Sequence, residues 1–230
     1  MPIDALVFDK DGTLFDFAAT WGRFGRIALE RLADGDVQRA TELGRVIGFD
    51  FEGESYSADS VVIAGTVDEI AGALQPHLPD MELGQLVETL NRASAEAQQI
   101  PAVPLAPFLE GLRQAGLKLG VATNDAEIPA LRHLASVGVR DHFDFVAGYD
   151  SGYGFKPGPG QLLAFARHVD IAPSRIAMVG DSLHDLKAGR AAGMATIGVL
   201  TGMATPEMLA PMADVVLPDI GHIPDWLSGK

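Results

Sequence analysis

Short apolar runs alternating with helical stretches constrain this chain more than any other feature. Leu117 to Ala122, Phe143 to Ala147, Arg175 to Val179, Ala195 to Val199 and Asp214 to Leu217 have the length and composition of buried strands. Phe108 to Ala115, Pro129 to Val137, Gln161 to Val169 and Asp185 to Ala192 carry apolar residues at helical spacing before and between them. A strand that returns to its neighbour through a helix runs parallel to it, and the helices then cover both faces of the sheet. The expected fold class is doubly wound α/β. Ile3 to Phe8 is a further run of the same kind and joins the sheet from the amino end. In such sheets ligands sit outside the carboxyl ends of the strands, so the residues that follow each run are the candidates for chemistry.

Between the first strand and the second the period changes. Phe17 to Leu32 reads as a helix, Asp36 caps another through Val46, Thr66-Val67-Asp68-Glu69 fits a capping box for a third to about Leu78, and Met81 to Gln98 reads as a fourth. Phe49 to Ser60 mixes aromatic, acidic and small polar residues without a period, and Pro101, Pro104 and Pro107 close the segment. Trp21, Phe24, Phe49 and Phe51 are expected to form the core of this helical part. With 230 residues, 47% of them hydrophobic, the chain can bury a core and carry an insertion. The expected division is an α/β core of residues 1–15 and 102–230 and a helical unit of residues 16–101.

Bulk properties limit the partners. There is no cysteine, which excludes disulfides and thiolate metal sites. No apolar run reaches membrane-spanning length, and Met1-Pro2-Ile3-Asp4 leads straight into the first strand, so a cytoplasmic protein that does not enter a membrane is expected. A formal charge of −14 argues against nucleic acid, because duplex binding needs a basic face. It would also repel an anionic substrate at long range, leaving attraction to local elements such as a lysine, a cation or a helix amino end.

The strand ends supply a consistent set of groups. Ile3 to Phe8 ends in Asp9-Lys10-Asp11-Gly12-Thr13-Leu14, where alternation of an extended chain would lean both acids to one side and Lys10 to the other. The second strand ends in Thr123-Asn124, Lys156 sits in a Phe-Lys-Pro-Gly turn, and the strand to Val179 ends in Gly180-Asp181-Ser182-Leu183-His184-Asp185. Taken singly, each has a plain alternative: a turn for Asp9 to Gly12, an exposed lysine, a helix cap for Asp185, a structural or exposed His184. In this order they resemble the haloacid dehalogenase superfamily, whose members carry an Asp-x-Asp, a Thr or Ser, a Lys and a Gly-Asp-x-x-x-Asp at strand ends or in adjoining loops.

That resemblance implies a doubly wound Rossmann-like parallel sheet with an inserted α-helical cap domain, and a Mg²⁺-dependent phosphatase acting on a small phosphorylated metabolite. It implies Asp9 as the nucleophile that forms an aspartyl phosphate, Asp11 as general acid and later base, and Thr123, Asn124 and Lys156 as the phosphate-binding set. The metal ligands it implies are Asp9, Asp11 through its carbonyl, and Asp181, with Ser182 and Asp185 as possible outer supports, Ser182 bonding to Asp181. Lys10 departs from the apolar residue common between the two acids; it either reaches the cap or substrate or extends to solvent. Retention of Asp11 favours phosphate esters over carbon–halogen or carbon–phosphorus bonds. The start, the Thr-Asn and the Gly-Asp-Ser motif look most like those of phosphoglycolate phosphatases, which makes phosphoglycolate the first candidate substrate. A phosphosugar mutase of the same superfamily and a non-catalytic phosphate-ligand-binding module stay open, as does the oligomeric state.

Overall fold

A computed structural model describes residues 3–57, 59–63, 65–96 and 98–229. Met1 and Pro2 of the expected start, Ala58 of the stretch without a period, Ala97 of the fourth expected helix and the terminal Lys230 lie outside these residues.

Strand β1 (Ala5–Phe8) is followed by helices α1 (Phe17–Leu32) and α2 (Val37–Val46), a two-strand hairpin of β2 (Phe49–Asp50) and β3 (Ser55–Tyr56), and helices α3 (Val67–Leu74) and α4 (Leu83–Glu96). The chain then alternates: α5 (Leu105–Gln114), β4 (Lys118–Ala122), α6 (Glu127–Ser136), β5 (Phe145–Ala147), α7 (Gly160–Val169), β6 (Ile176–Gly180), α8 (Leu183–Ala192), β7 (Ala195–Val199), α9 (Pro206–Leu209), β8 (Val215–Leu217) and α10 (Ile223–Leu227). Six strands form one parallel sheet in the order β5-β4-β1-β6-β7-β8. This is a doubly wound Rossmann-like α/β fold with an inserted helical part. Among the described residues no helix is long and apolar enough to cross a membrane.

The period of two along β1 sorts the core into two layers. Leu6 and Phe8 pack with Leu105, Leu109, Leu112 and Leu134 on one face, while Ala5 and Val7 pack with Leu162, Phe165 and Ala188 on the other. The inserted helices bury a third cluster of their own, including Phe17, Trp21, Leu29, Leu43, Phe49, Tyr56, Leu74 and Leu86. Chain passes from sheet to helices and back through two adjacent segments. Phe15 bridges Pro101, the Asp16 amide donates to the Ile100 carbonyl at 2.8 Å, and the Ala102 amide donates to the Leu14 carbonyl at 2.9 Å.

Some elements differ from their expected form. Helix α3 stops at Leu74 and tightens into a 3₁₀ turn over Gln75–His77, because Pro76 has no N–H to continue an α-helix. Helix α5 starts at Leu105, earlier than Phe108: Pro107 does not close the preceding segment but stands in the helix's first turn, where an N–H would lack a partner anyway. The Phe49 to Ser60 stretch contains the β2–β3 hairpin, held by the Phe49 and Tyr56 rings with centroids 4.8 Å apart.

Candidate active site

The strand order determines where side chains can converge. The chain moves outward from β4 to β5 and then returns on the other side of β1 to β6, so the loops after β4 and β6 diverge around the carboxyl end of β1. Phe8 is level with Val121 and Val179, and Asp9, Thr123 and Asp181 therefore emerge side by side. A cavity of about 50 Å³ opens over Asp9 and Thr123, lined on the core side by Asp9, Asp11, Thr123, Asn124, Asp125, Lys156, Ser182, His184 and Asp185.

Lys156, 3% exposed, stands between two acids: its Nζ lies 2.6 Å from Asp9 Oδ1 and 2.6 Å from Asp185 Oδ1. Burial alone would depress its pKa, but Asp185 and Asp9 lift it above the ordinary range. Burial pushes Asp9 up to about 7 against the pull of Lys156, with repulsion from Asp185 and Asp11 adding to the rise. Asp181 is raised well above the usual carboxylate range by burial and by repulsion from Asp185 and Asp9. Its carboxylate accepts no side-chain hydrogen bond among the described residues, and the glycines at positions 12 and 202 make room for it. Gly12 has a φ of +76°, and a Cβ on either residue would overlap the Asp181 carboxylate.

Asp9, Asp181 and Asp185 thus bring one carboxylate oxygen each within 4.8 Å of one another, all buried. When all three are ionised, three carboxylates against one ammonium leave an excess of two negative charges, which a divalent cation would match, and oxygen donors of this kind suit a hard ion. The residues present fit such a metal. Asp185 both belongs to this cluster and caps a helix. Ser182 and Asp185 form the capping box of α8: Ser182 Oγ donates to Asp185 Oδ2 at 2.6 Å, and its amide donates to the same oxygen at 3.0 Å. The Ser182 side chain bonds to Asp185 rather than to Asp181 because that box requires the residue three positions on.

Thr123 and Asn124 reach the same cavity by different means. The Thr123 hydroxyl oxygen accepts from the Asp125 amide at 3.0 Å and can still donate its own proton. Asn124 pairs both ways with the Lys156 backbone, Nδ2 to the carbonyl at 3.0 Å and Oδ1 from the amide at 2.9 Å, and so clamps the loop that carries the lysine.

Lys10 is where the extended-chain expectation fails. Strand geometry ends at Phe8, and the Leu14 and Phe15 amides both fold back to the Lys10 carbonyl, at 2.9 and 3.1 Å. In that turn Lys10 and Asp11 lie together, with Nζ 2.6 Å from Asp11 Oδ2. Lys10 is fully buried, so it does not extend to solvent; Nζ also meets Asp125 Oδ2 at 3.2 Å and His133 Nδ1 at 2.9 Å. Nε2 of His133 is 2.6 Å from the Ser94 carbonyl of α4, and the Trp21 ring of α1 lies 5.8 Å from Lys10 Nζ, so this residue does touch the inserted helices. Asp11 Oδ1 is buried without a hydrogen-bond donor among the described residues. Asp125 and His133 were not anticipated. Only the unusual lysine between two acids hinted that buried counter-groups were needed.

Comparison with known proteins identifies the family. The family model of haloacid dehalogenase-like hydrolases matches residues 3–193. A phosphoglycolate phosphatase of Nitrosospira multiformis is 31% identical over 84% of this chain and 81% of its own, and one of Shigella boydii is 28% identical over 95% and 93%. A crystal structure of a predicted phosphoglycolate phosphatase from Haemophilus somnus superposes with a TM-score of 0.74 at 20% identity, covering 97% of each chain.

Proposed function

The chain belongs to the haloacid dehalogenase-like hydrolases, and on that premise we propose that it is a Mg²⁺-dependent phosphatase of small phosphate monoesters. The observation that carries this reading is the buried triad Asp9, Asp181 and Asp185 with Lys156 between two of its members. These three carboxylates, with Asp11 through its backbone, would hold the cation, which when bound offsets charge on the transferring phosphoryl oxygens.

Asp9 attacks phosphorus, and its new P–O bond forms as the ester bond breaks; the departing alkoxide takes a proton from Asp11. In the second half a water gives its proton to Asp11 and attacks the aspartyl phosphate, releasing inorganic phosphate and restoring Asp9. Lys156 orients Asp9 and faces the phosphoryl oxygens, Thr123 donates to them, and Asn124 acts by fixing the lysine loop. Residues 16–101 serve as the cap that excludes water, over a core of residues 1–15 and 102–230. The named relatives make phosphoglycolate the first substrate to try.

The test is phosphate release from a panel of small monoesters, with Mg²⁺ and with chelator. Metal-dependent release that falls by about a thousandfold or more in Asp9→Asn is expected. Isomerised phosphosugar without free phosphate would instead assign a mutase.

A further inference from the structure

Resting on the phosphatase reading above, we propose that the leaving group this site accepts is small, uncharged and mainly apolar, rather than a carboxylate. The core side of the cavity handles the phosphoryl group; what faces it across the cavity is Phe17, Trp21, Val62, Ile63, Val67 and Ile70. Their side chains contain no charge and one polar atom, Trp21 Nε1, which is buried without an acceptor among the described residues.

An anion could also be held by backbone amides, but those of Val62, Ile63 and Gly65 are engaged. The Val62 amide donates to Ser60 Oγ at 3.2 Å, that of Ile63 to the Ser60 carbonyl at 3.2 Å, and that of Gly65 to the Val61 carbonyl at 2.9 Å. The amino end of α3 already faces acids of its own first turn, Asp68 and Glu69, with Glu69 Oε2 taking the Thr66 amide at 2.7 Å.

Nor does a cation of the inserted segment reach the cavity. Residues 16–101 contain six arginines and no lysine. Arg26, Arg31, Arg39 and Arg92 pair with glutamates, while Arg23 and Arg45 are exposed and line other clefts. On the core side Lys156 is spent on Asp9 and Asp185, and His184 directly precedes Asp185 in α8. A carboxylate pressed against this wall would lose its water without a counter-charge, whereas an alkyl group would gain by burial.

The experiment compares propyl phosphate with phosphoglycolate, which are similar in length, in one preparation of the full chain with Mg²⁺. Because the quantity read is a ratio of kcat/KM values, it does not depend on how much protein is folded. Propyl phosphate is expected to be favoured by roughly ten- to a hundredfold. The variant Ile63→Arg, which places a cation in the wall, is expected to move the ratio toward phosphoglycolate by at least about tenfold. Asp9-dependent release that favours phosphoglycolate in the unmodified chain would overturn this inference and leave the phosphatase reading standing. Metal-dependent release from neither these two esters nor the wider panel would overturn both.

Discussion

Lys10 holds its charge with no exposed surface, and its partners determine the state of the groups around it. An ammonium can only donate and a carbonyl can only accept, so His133 accepts from Lys10 at Nδ1 and donates from Nε2 to Ser94. That tautomer has no room for a second proton. Burial, reinforced by Lys10, lowers the His133 pKa from 6.5 to about 4. Between those values the unfolded chain binds a proton that the folded imidazole refuses, so stability falls as pH drops through the window, by on the order of 3 kcal/mol if nothing relaxes. Denaturant unfolding at about pH 7 and about pH 4.5 is expected to show a larger drop for the wild type than for His133→Gln; equal drops would contradict a buried neutral imidazole. Nothing local in the sequence pointed to this pairing, since 123 residues separate Lys10 from His133. The acids and Lys156, by contrast, were legible because each follows a recognisable strand or turn.

At the scale of elements, the capping box of α8 does two things. It satisfies the helix's first amides and fixes Asp185 where Lys156 can reach it. Ser182→Ala is expected to lower stability by about 1 kcal/mol and kcat/KM by roughly tenfold through the released carboxylate. Thermal unfolding and initial rates on the same preparation separate the two effects, and a stability loss with unchanged rates would remove Ser182 from the site. Local signals of this type made many elements readable: α1 and α2 span the expected residues, with Asp16 and Asp36 accepting at their amino ends. The β2–β3 hairpin had no such signal, because two paired residues per strand carry no alternation and ring packing holds it together. Gly202 was unreadable for a different reason. Its role is to leave space for Asp181, which only the folded loop after β7 reveals.

The whole molecule carries a charge of −14, and on the proposed function a phosphate dianion must cross that field to reach Lys156. Raising ionic strength from about 10 mM to about 150 mM shortens the screening length from roughly 30 to 8 Å. At fixed free Mg²⁺, kcat/KM should rise several-fold over that range while kcat changes little; a fall would show that attraction near the cavity dominates approach. The parallel sheet itself was legible because helices alternate with strands, and its register was not, since register depends on contacts between distant segments. The paired crossings at Leu14 to Asp16 and Ile100 to Ala102 have a consequence for the history of such a chain. Neighbouring strands lie about 4.8 Å apart, so the inserted helices leave the sheet and re-enter it at almost the same point. To β1 and β4 they are a detour of negligible net displacement. Such a detour can be lengthened, shortened or replaced by an unrelated cassette without shifting either strand, so one catalytic sheet can acquire new selectivities while its chemistry stays in place.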